Sequence, residues 1–349
     1  MFIALSAISL LASACTAGGS DEAGTEPAGA DEPDPRPLPA RRPFGAGFLS
    51  TTLVDDSRGT PAVPDRGVAA SDARELELTV VYPVEEEPAD EAPEGTAATD
   101  PDPADAVGLV DGRPAPDDTD TPPAEGPFPL LVFAHGWNGS GPSLLGPAER
   151  WARAGYVVAL PTFPLSREGI ATDVDMVNQP GDVSFVIDTL LARSDDPDDR
   201  LAGLVDAGRI AVGGHSLGSA TVFGFQNDCC HDDRVRAIVA ISGGPAPYST
   251  GTYDAAFATP MLLVHGRKDP GVPVAISEAV FQQTPGRMDL LLFDEGDHTS
   301  LFGGEDGLLL DRVTVAWLDR ELGIDDAATD GLEEEVAASG RGSLRSKDG

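Results

Sequence analysis

Short apolar runs recur along the chain, and each is bounded by Gly, Pro or charged residues. Two early segments, residues 47–54 and 75–82, alternate apolar with polar residues or are β-branched, which predicts a pair of antiparallel strands. The later runs are apolar apart from Arg236 and Asp289, as in strands that are covered on both faces of a parallel sheet. They lie at residues 128–134, 156–160, 210–212, 236–241, 261–264 and 288–293.

Segments with helical spacing separate these runs. The clearest begins at Pro180, because proline suits the first turn of a helix. Five apolar residues then fall on one face of that helix: Val183, Val186, Ile187, Leu190 and Leu191. Further helices are predicted at residues 144–154, 219–223 and 307–322. The alternation of strand and helix predicts an α/β fold with a mostly parallel, doubly wound sheet and helices on both faces.

The start of the chain has a different composition. Residues 1–15 form an apolar run that is too short to span a bilayer and ends in small residues before Cys15, as in a signal peptide with a lipobox-like end. We expect an exported protein with lipid attached to Cys15, and an ordinary cleaved signal peptide is the alternative. Residues 16–42 are predicted to be a disordered tether, and residues 43–324 the folded domain.

Most of the net charge of −36 lies outside the predicted fold, since residues 21–35, 85–125 and 325–349 together carry −23. An acidic, Pro-rich insertion at about residues 84–127 and the tail at residues 325–349 lack useful periodicity, and we predict both to be disordered. No basic stripe is present in the sequence, which argues against nucleic acid as a partner. We expect a monomer that meets the membrane only through a lipid anchor at Cys15.

The chain has three cysteines, of which Cys229 and Cys230 are adjacent. In an oxidising compartment they have two equal alternatives, a strained vicinal disulfide or a pair of buried thiols. Zinc binding by this pair and His231 is disfavoured, because adjacent ligands fit a tetrahedral site poorly. The sequence predicts no metal and no cofactor.

The most informative motif is Gly214-His215-Ser216-Leu217-Gly218, which follows an apolar run and precedes a helical segment. Gly-x-Ser-x-Gly between a strand and a helix is typical of a nucleophile elbow, in which the serine occupies a strained turn. Ser216 is therefore the candidate nucleophile. The alternative is a Gly-rich loop in which the serine caps a helix.

A serine nucleophile needs a base within hydrogen-bond reach and an acid that holds the base. His298 follows the strand at residues 288–293 and is the candidate base. Asp269 lies in a turn just past the strand at residues 261–264 and is the candidate acid, which gives the chain order Ser, acid, His. Asp294 and Asp297 are the runners-up for the acid.

A tetrahedral oxyanion needs two N–H donors. The amide of Leu217, directly after the nucleophile, is one candidate. The amide of Trp137 is the other, because Gly136 lets the backbone turn after the strand at residues 128–134. His135 and His215 lie inside these two turns and are expected to pack or to brace the backbone.

These motifs resemble those of the α/β-hydrolase superfamily, and within it the dienelactone hydrolase-like, platelet-activating-factor acetylhydrolase-like and polyester (cutinase-like) hydrolases. The similarity spans about residues 43–322. It is carried by Phe133-Ala-His-Gly-Trp137, Gly214-His-Ser-Leu-Gly218, His265-Gly-Arg-Lys-Asp269 and Asp297-His298. The resemblance implies an α/β-hydrolase fold, a triad of Ser216, Asp269 and His298, and an oxyanion hole of the Trp137 and Leu217 amides.

The sequence thus predicts a serine esterase of the carboxylesterase type that acts through an acyl-enzyme. Its expected substrates are short-chain or surface-presented esters, either small molecules or polymers. One alternative is a peptidase or thioesterase that uses the same triad. Another is a non-catalytic surface lipoprotein on a hydrolase scaffold.

Overall fold

The computed structural model describes residues 44–85, 108–110, 112–172, 174–246 and 259–348, with Val174 described by its backbone alone. The predicted leader, the lipidation site at Cys15 and the tether at residues 16–42 lie outside the described residues. So do residues 86–107 of the acidic insertion.

The described strands form one nine-stranded sheet with the order β1-β2-β4-β3-β5-β6-β7-β8-β9. They are β1 (Gly45–Asp55), β2 (Arg74–Val84), β3 (Phe128–Ala134), β4 (Val157–Thr162), β5 (Val205–His215), β6 (Val235–Ile241), β7 (Met261–Gly266), β8 (Met288–Phe293) and β9 (Gly342–Lys347). The strands from β4 to β8 across the sheet are parallel. The pairs β1–β2, β2–β4 and β8–β9 are antiparallel. The predicted sheet, including its antiparallel opening, is confirmed.

Six helices are described, and they cover both faces of this sheet. They are α1 (Leu145–Arg153), α2 (Gln179–Asp195), α3 (Leu217–Phe223), α4 (Ala275–Gln283), α5 (Gly304–Glu321) and α6 (Leu332–Ser339). Helices α2, α3 and α4 contribute to the hydrophobic cluster on one face, and α1, α5 and α6 to the cluster on the other. None of the helices in the described ranges is long and apolar enough to cross a membrane.

Strand β3 is apolar at every position because both of its faces are covered. In β3, Leu130 and Val132 belong to one hydrophobic cluster, whereas Leu131 and Phe133 belong to the other. All four side chains are completely buried. This period of two is the ordinary alternation of side chains along a strand, and it explains why an unbroken apolar run predicted a strand here.

A buried cluster of charges joins the start of β2 to helix α2. The guanidinium of Arg74 binds Asp182 with hydrogen bonds of 2.6 Å and Asp175 with bonds of 2.7 and 3.0 Å. All three side chains are fully buried. Because β2 and α2 are far apart in the chain, this cluster fixes how the helix lies on the antiparallel end of the sheet.

The prediction of disorder for the insertion at residues 84–127 is wrong over its second half. Thr119 exchanges hydrogen bonds with Phe48 of β1, and the amide of Ser50 donates to the Asp118 carboxylate at 2.7 Å. The amide of Ala124 donates to Pro83 O. Edge strand β1 has backbone groups without a strand partner, and the insertion satisfies them without any apolar periodicity.

The prediction of a disordered tail at residues 325–349 is also wrong. Helix α6 buries Leu332 and Val336, and β9 pairs with β8 from Met288↔Lys347 to Phe293↔Gly342. Leu344 is the one apolar residue of β9, so the strand is held by its backbone ladder more than by side-chain burial. The folded domain therefore extends to residue 348.

Replacing Arg74 by methionine should destabilise the fold by about 3–5 kcal/mol, because buried Asp175 would lose its cation and buried Asp182 would keep only Arg58. The measurement is the free energy of unfolding in urea. Arg193→Met is the control, since Arg193 pairs with Asp199 on the partly exposed surface and its loss should cost less than about 1 kcal/mol. Equal losses for the two variants would contradict the role of the buried cluster.

Candidate active site

Ser216 lies in a strained turn between β5 and α3. Its backbone angles are φ 56° and ψ −113°, which a residue with a side chain rarely adopts. A Cβ at Gly214 would collide with the backbone of Gly218, and one at Gly218 would collide with the backbone of Ala134. The two glycines therefore let the strand, the helix and the neighbouring β3 approach closely enough to form the turn.

The structure brings together the three residues predicted to act as nucleophile, base and acid. His298 Nε2 lies 2.9 Å from Ser216 Oγ, and His298 Nδ1 lies 2.6 Å from Asp269 Oδ2. In sequence, His298 is 82 residues from Ser216 and 29 residues from Asp269. The parallel sheet brings them together, because the carboxyl ends of β5, β7 and β8 lie on the same side of the sheet.

Asp269 is held as an ionised acceptor. Burial raises the pKa of this carboxyl, but contacts with His265 and His298 and the Val272 amide outweigh it and hold the pKa well below its usual range. Asp269 Oδ1 accepts the N–H groups of Gly271 at 2.7 Å and Val272 at 2.8 Å. The other oxygen is thereby left for His298, which fixes the Nδ1–H tautomer of that ring.

The runner-up acids have other partners. Asp297 Oδ1 accepts the amides of Thr299 at 2.9 Å and Ser300 at 2.8 Å, and these bonds lower the pKa of Asp297. Asp294 pairs with Arg267 at 3.0 Å. Both carboxylates shape the loop that carries His298, and neither has a hydrogen bond to its ring in the described structure.

The two predicted oxyanion donors flank Ser216. Leu217 directly follows it, and the loop of Trp137 passes so close that a Cβ on Gly136 would come within 3.2 Å of Ser216 Cβ. Within the described ranges, the amides of Leu217 and Trp137 have no hydrogen-bond acceptor in the protein. The Trp137 residue is 43% exposed. Two N–H donors beside Ser216 that have no other acceptor are suited to stabilise the negative charge that develops on the oxygen of a tetrahedral intermediate.

His135 and His215, the histidines inside the two turns, support the backbone. Nε2 of buried His135 accepts a hydrogen bond of 3.0 Å from the Phe163 amide. Burial lowers the pKa of His135 to about 4. His215 donates from Nε2 to the carbonyl of His298 at 2.8 Å. Burial, and then the nearby His298, lower the pKa of His215 to about 3, so it is a neutral brace for the loop of His298.

The sequence analysis missed two contacts of the candidate acid and base. One is the bond from His215 to the His298 carbonyl, and the other is the approach of His265 to Asp269, with 3.3 Å between Nε2 and Oδ2. Only the spacing of four residues between His265 and Asp269 hinted at the second contact. Neither contact follows from hydrophobic periodicity.

Cys229 and Cys230 form a vicinal disulfide in the loop beyond the 3₁₀ turn Gly224–Gln226, with 3.8 Å between their Cα atoms. This settles the choice left open by the sequence in favour of the disulfide over free thiols. His231 in the same loop binds Phe225 O and Asp233, each at 3.0 Å. Among the described residues there is no group of three or more His, Cys, Asp and Glu side chains placed to hold a metal ion.

No family model matches the chain, and no curated protein matches it either. Among solved structures, it is similar to ferulic acid esterase from Streptomyces cinnamoneus, with 26% identity and a TM-score of 0.55. The match covers 82% of this chain and 92% of the esterase. Together with the sheet topology, this likeness shows an α/β-hydrolase fold and supports the hydrolase superfamily as a whole. It does not favour any of the subfamilies that the motifs resemble.

Replacing Asp269 by asparagine should lower kcat by about 10³–10⁴, because the amide would favour the wrong tautomer of His298. Asp297→Asn is the matched control in the histidine loop and should cost less than tenfold. The measurement is kcat on a p-nitrophenyl ester for both purified variants. A larger loss for Asp297→Asn than for Asp269→Asn would make Asp297 the acid.

Proposed function

We propose that this protein is a serine carboxylic-ester hydrolase that works through an acyl-enzyme. The observation that carries the proposal is the hydrogen-bonded chain from Asp269 through His298 to Ser216, with distances of 2.6 and 2.9 Å. Its nucleophile lies on a strained elbow beside two free amides. The esterase named among the similar structures supports ester cleavage as the chemistry.

Acylation begins when Ser216 Oγ attacks the carbonyl carbon of the ester. His298 Nε2 takes the hydroxyl proton, and the carbonyl oxygen becomes an oxyanion that the amides of Leu217 and Trp137 stabilise. As the tetrahedral intermediate collapses, His298 gives the proton to the alcohol oxygen and the carbon–oxygen bond breaks. Asp269 stays ionised throughout and stabilises the imidazolium.

Deacylation repeats these steps with water. His298 takes a proton from a water molecule, the hydroxide attacks the acyl carbon, and Ser216 leaves with the proton that His298 returns. The products are a carboxylic acid and an alcohol, and the enzyme regains its starting protonation state. No metal or redox group is needed for this balance of atoms and protons.

Short-chain or surface-presented esters are the proposed substrates. Ser216 and His298 are both half-buried and so open to solvent on one side, and exposed Trp137 offers an aromatic surface beside them. Because the similar structure is a ferulic acid esterase, esters of ferulic acid are also substrates worth testing. Most of the segment after β6, residues 247–258, lies outside the described residues.

The proposed location is outside the cytoplasm, through a leader and a lipid anchor at Cys15. The vicinal disulfide at Cys229 and Cys230 supports an oxidising compartment, because cytosolic thiols are usually kept reduced. The fold also accommodates a peptidase or thioesterase with the same triad. A p-nitrophenyl ester, a p-nitroanilide and a thioester with one shared acyl group separate these activities.

Replacing Ser216 or His298 by alanine should lower kcat/KM for a p-nitrophenyl ester by roughly 10⁴–10⁶, because the triad acts as a unit. Ser184→Ala is the control, since Ser184 hydrogen-bonds Asp232 on the outside of helix α2. Labelling with a fluorophosphonate provides a second readout, and only the Ser216→Ala variant should lack the modified serine altogether. Turnover above about a hundredth of wild type in Ser216→Ala would refute the assignment.

A further inference from the structure

His265, near the end of β7, lies directly behind the candidate acid and is completely buried. Its Nε2 lies 2.9 Å from the carbonyl oxygen of Val272 and 3.3 Å from Asp269 Oδ2. Its Nδ1 lies 2.7 Å from the hydroxyl of Ser277 on helix α4. The ring is therefore held from both sides, by a turn and by a helix.

The proton on the inner side of the ring is fixed by its neighbours. A carbonyl oxygen and an ionised carboxylate can only accept hydrogen bonds, so Nε2 of His265 must carry a proton in either charge state of the ring. That N–H points into the space between Val272 O and Asp269 Oδ2. Asp269 Oδ2 is the same oxygen that accepts from His298 Nδ1.

Val272 links this histidine to the other oxygen of the acid. Its N–H donates to Asp269 Oδ1 at 2.8 Å, while its carbonyl accepts from His265. The imidazole thus anchors the turn that supplies the amides to Oδ1 and also stands against Oδ2. Both oxygens of the carboxylate depend on the position of this one ring.

We propose that His265 is a positioning residue, which sets the orientation of the Asp269 carboxylate for its bond to His298. The inference rests on the proposed serine-hydrolase function and extends it by a fourth side chain. Ser277 sets the orientation of His265 in turn, and its hydroxyl also lies 3.4 Å from the carbonyl oxygen of Gly243. The resulting chain runs from Ser277 through His265, Asp269 and His298 to Ser216.

A purely space-filling role predicts a different outcome from a positioning role. If the ring only fills space, loss of packing lowers stability and activity together and leaves the pH profile in place. If its N–H holds Asp269, its removal lets the carboxylate turn away from His298, and the imidazolium form of His298 is then stabilised less. The other titratable groups facing this pair are His215, whose ring lies 4.8 Å from that of His298, and Asp297 in the histidine loop.

The test uses two variants of similar size. His265→Gln keeps an N–H where imidazole Nε2–H stands, whereas His265→Asn keeps a polar group only at the Nδ1 position, within reach of Ser277. The measurements are kcat, KM and the pH profile on a p-nitrophenyl ester, and the rate of fluorophosphonate labelling at Ser216. His231→Asn, in the disulfide loop, is the control and should behave like the wild type.

We expect His265→Asn to lose about ten- to hundredfold in kcat with little change in KM, as for a misplaced catalytic group. The acid limb of its pH profile should move to lower pH, and its labelling rate at neutral pH should fall with kcat. His265→Gln should stay within a few-fold of wild type with the limb unmoved. This pattern would not arise from packing alone, because both variants remove the aromatic ring.

The proposal is overturned if both variants match the wild type, or if both lose activity equally with the acid limb unmoved. Should His265→Asn fail to unfold cooperatively, Ser277→Ala decides, with a lower kcat at unchanged KM expected and an unchanged kcat contradicting the proposal. Failure of the proposed function is a separate result. In that case the wild-type protein itself would neither cleave esters nor be labelled at Ser216.

Discussion

The site depends on the backbone turn at Ser216, which holds a residue with a side chain at φ 56°. Such a conformation costs on the order of 1–3 kcal/mol and persists only where the surroundings determine it. Here the amide of Ser216 donates to Ile241 O of β6 at 2.9 Å, and two glycines admit the close approach of α3 and β3. The packing of the sheet thus keeps a half-buried hydroxyl in one position.

The acid and base reach this hydroxyl because their loops continue two paired strands. β7 and β8 are in register up to Gly266↔Phe293, and the pairing goes on as Arg267 N–H donates to Phe293 O and Lys268 N–H to Gly296 O. These backbone hydrogen bonds therefore fix the turn of Asp269 against the loop of His298 without any contribution from side chains. The 2.6 Å bond between the two side chains is a consequence of strand register.

The sequence was sufficient where burial on both sides of the sheet produced a continuous apolar run, as in β3, and where chain order predicted that Ser216, Asp269 and His298 lie in one candidate site. It was insufficient at both edges of the sheet. Residues 118–124 are held by hydrogen bonds to the backbones of β1 and β2, and β9 is held by its backbone ladder to β8. Such bonds leave almost no pattern in side-chain polarity. The proposed positioning role of His265 was equally hard to predict. In the sequence, a histidine that positions a catalytic group looks the same as a histidine that only fills the core.

The proposed mechanism requires a covalent acyl-enzyme on Ser216, which rapid quenching followed by intact-mass and peptide mass spectrometry can detect. A p-nitrophenyl ester mixed with excess enzyme should give a transient adduct of one acyl group, located on the peptide that contains Ser216. The adduct should form and decay at rates that account for kcat. Ester turnover without any adduct, or with an adduct on another residue, would contradict the account.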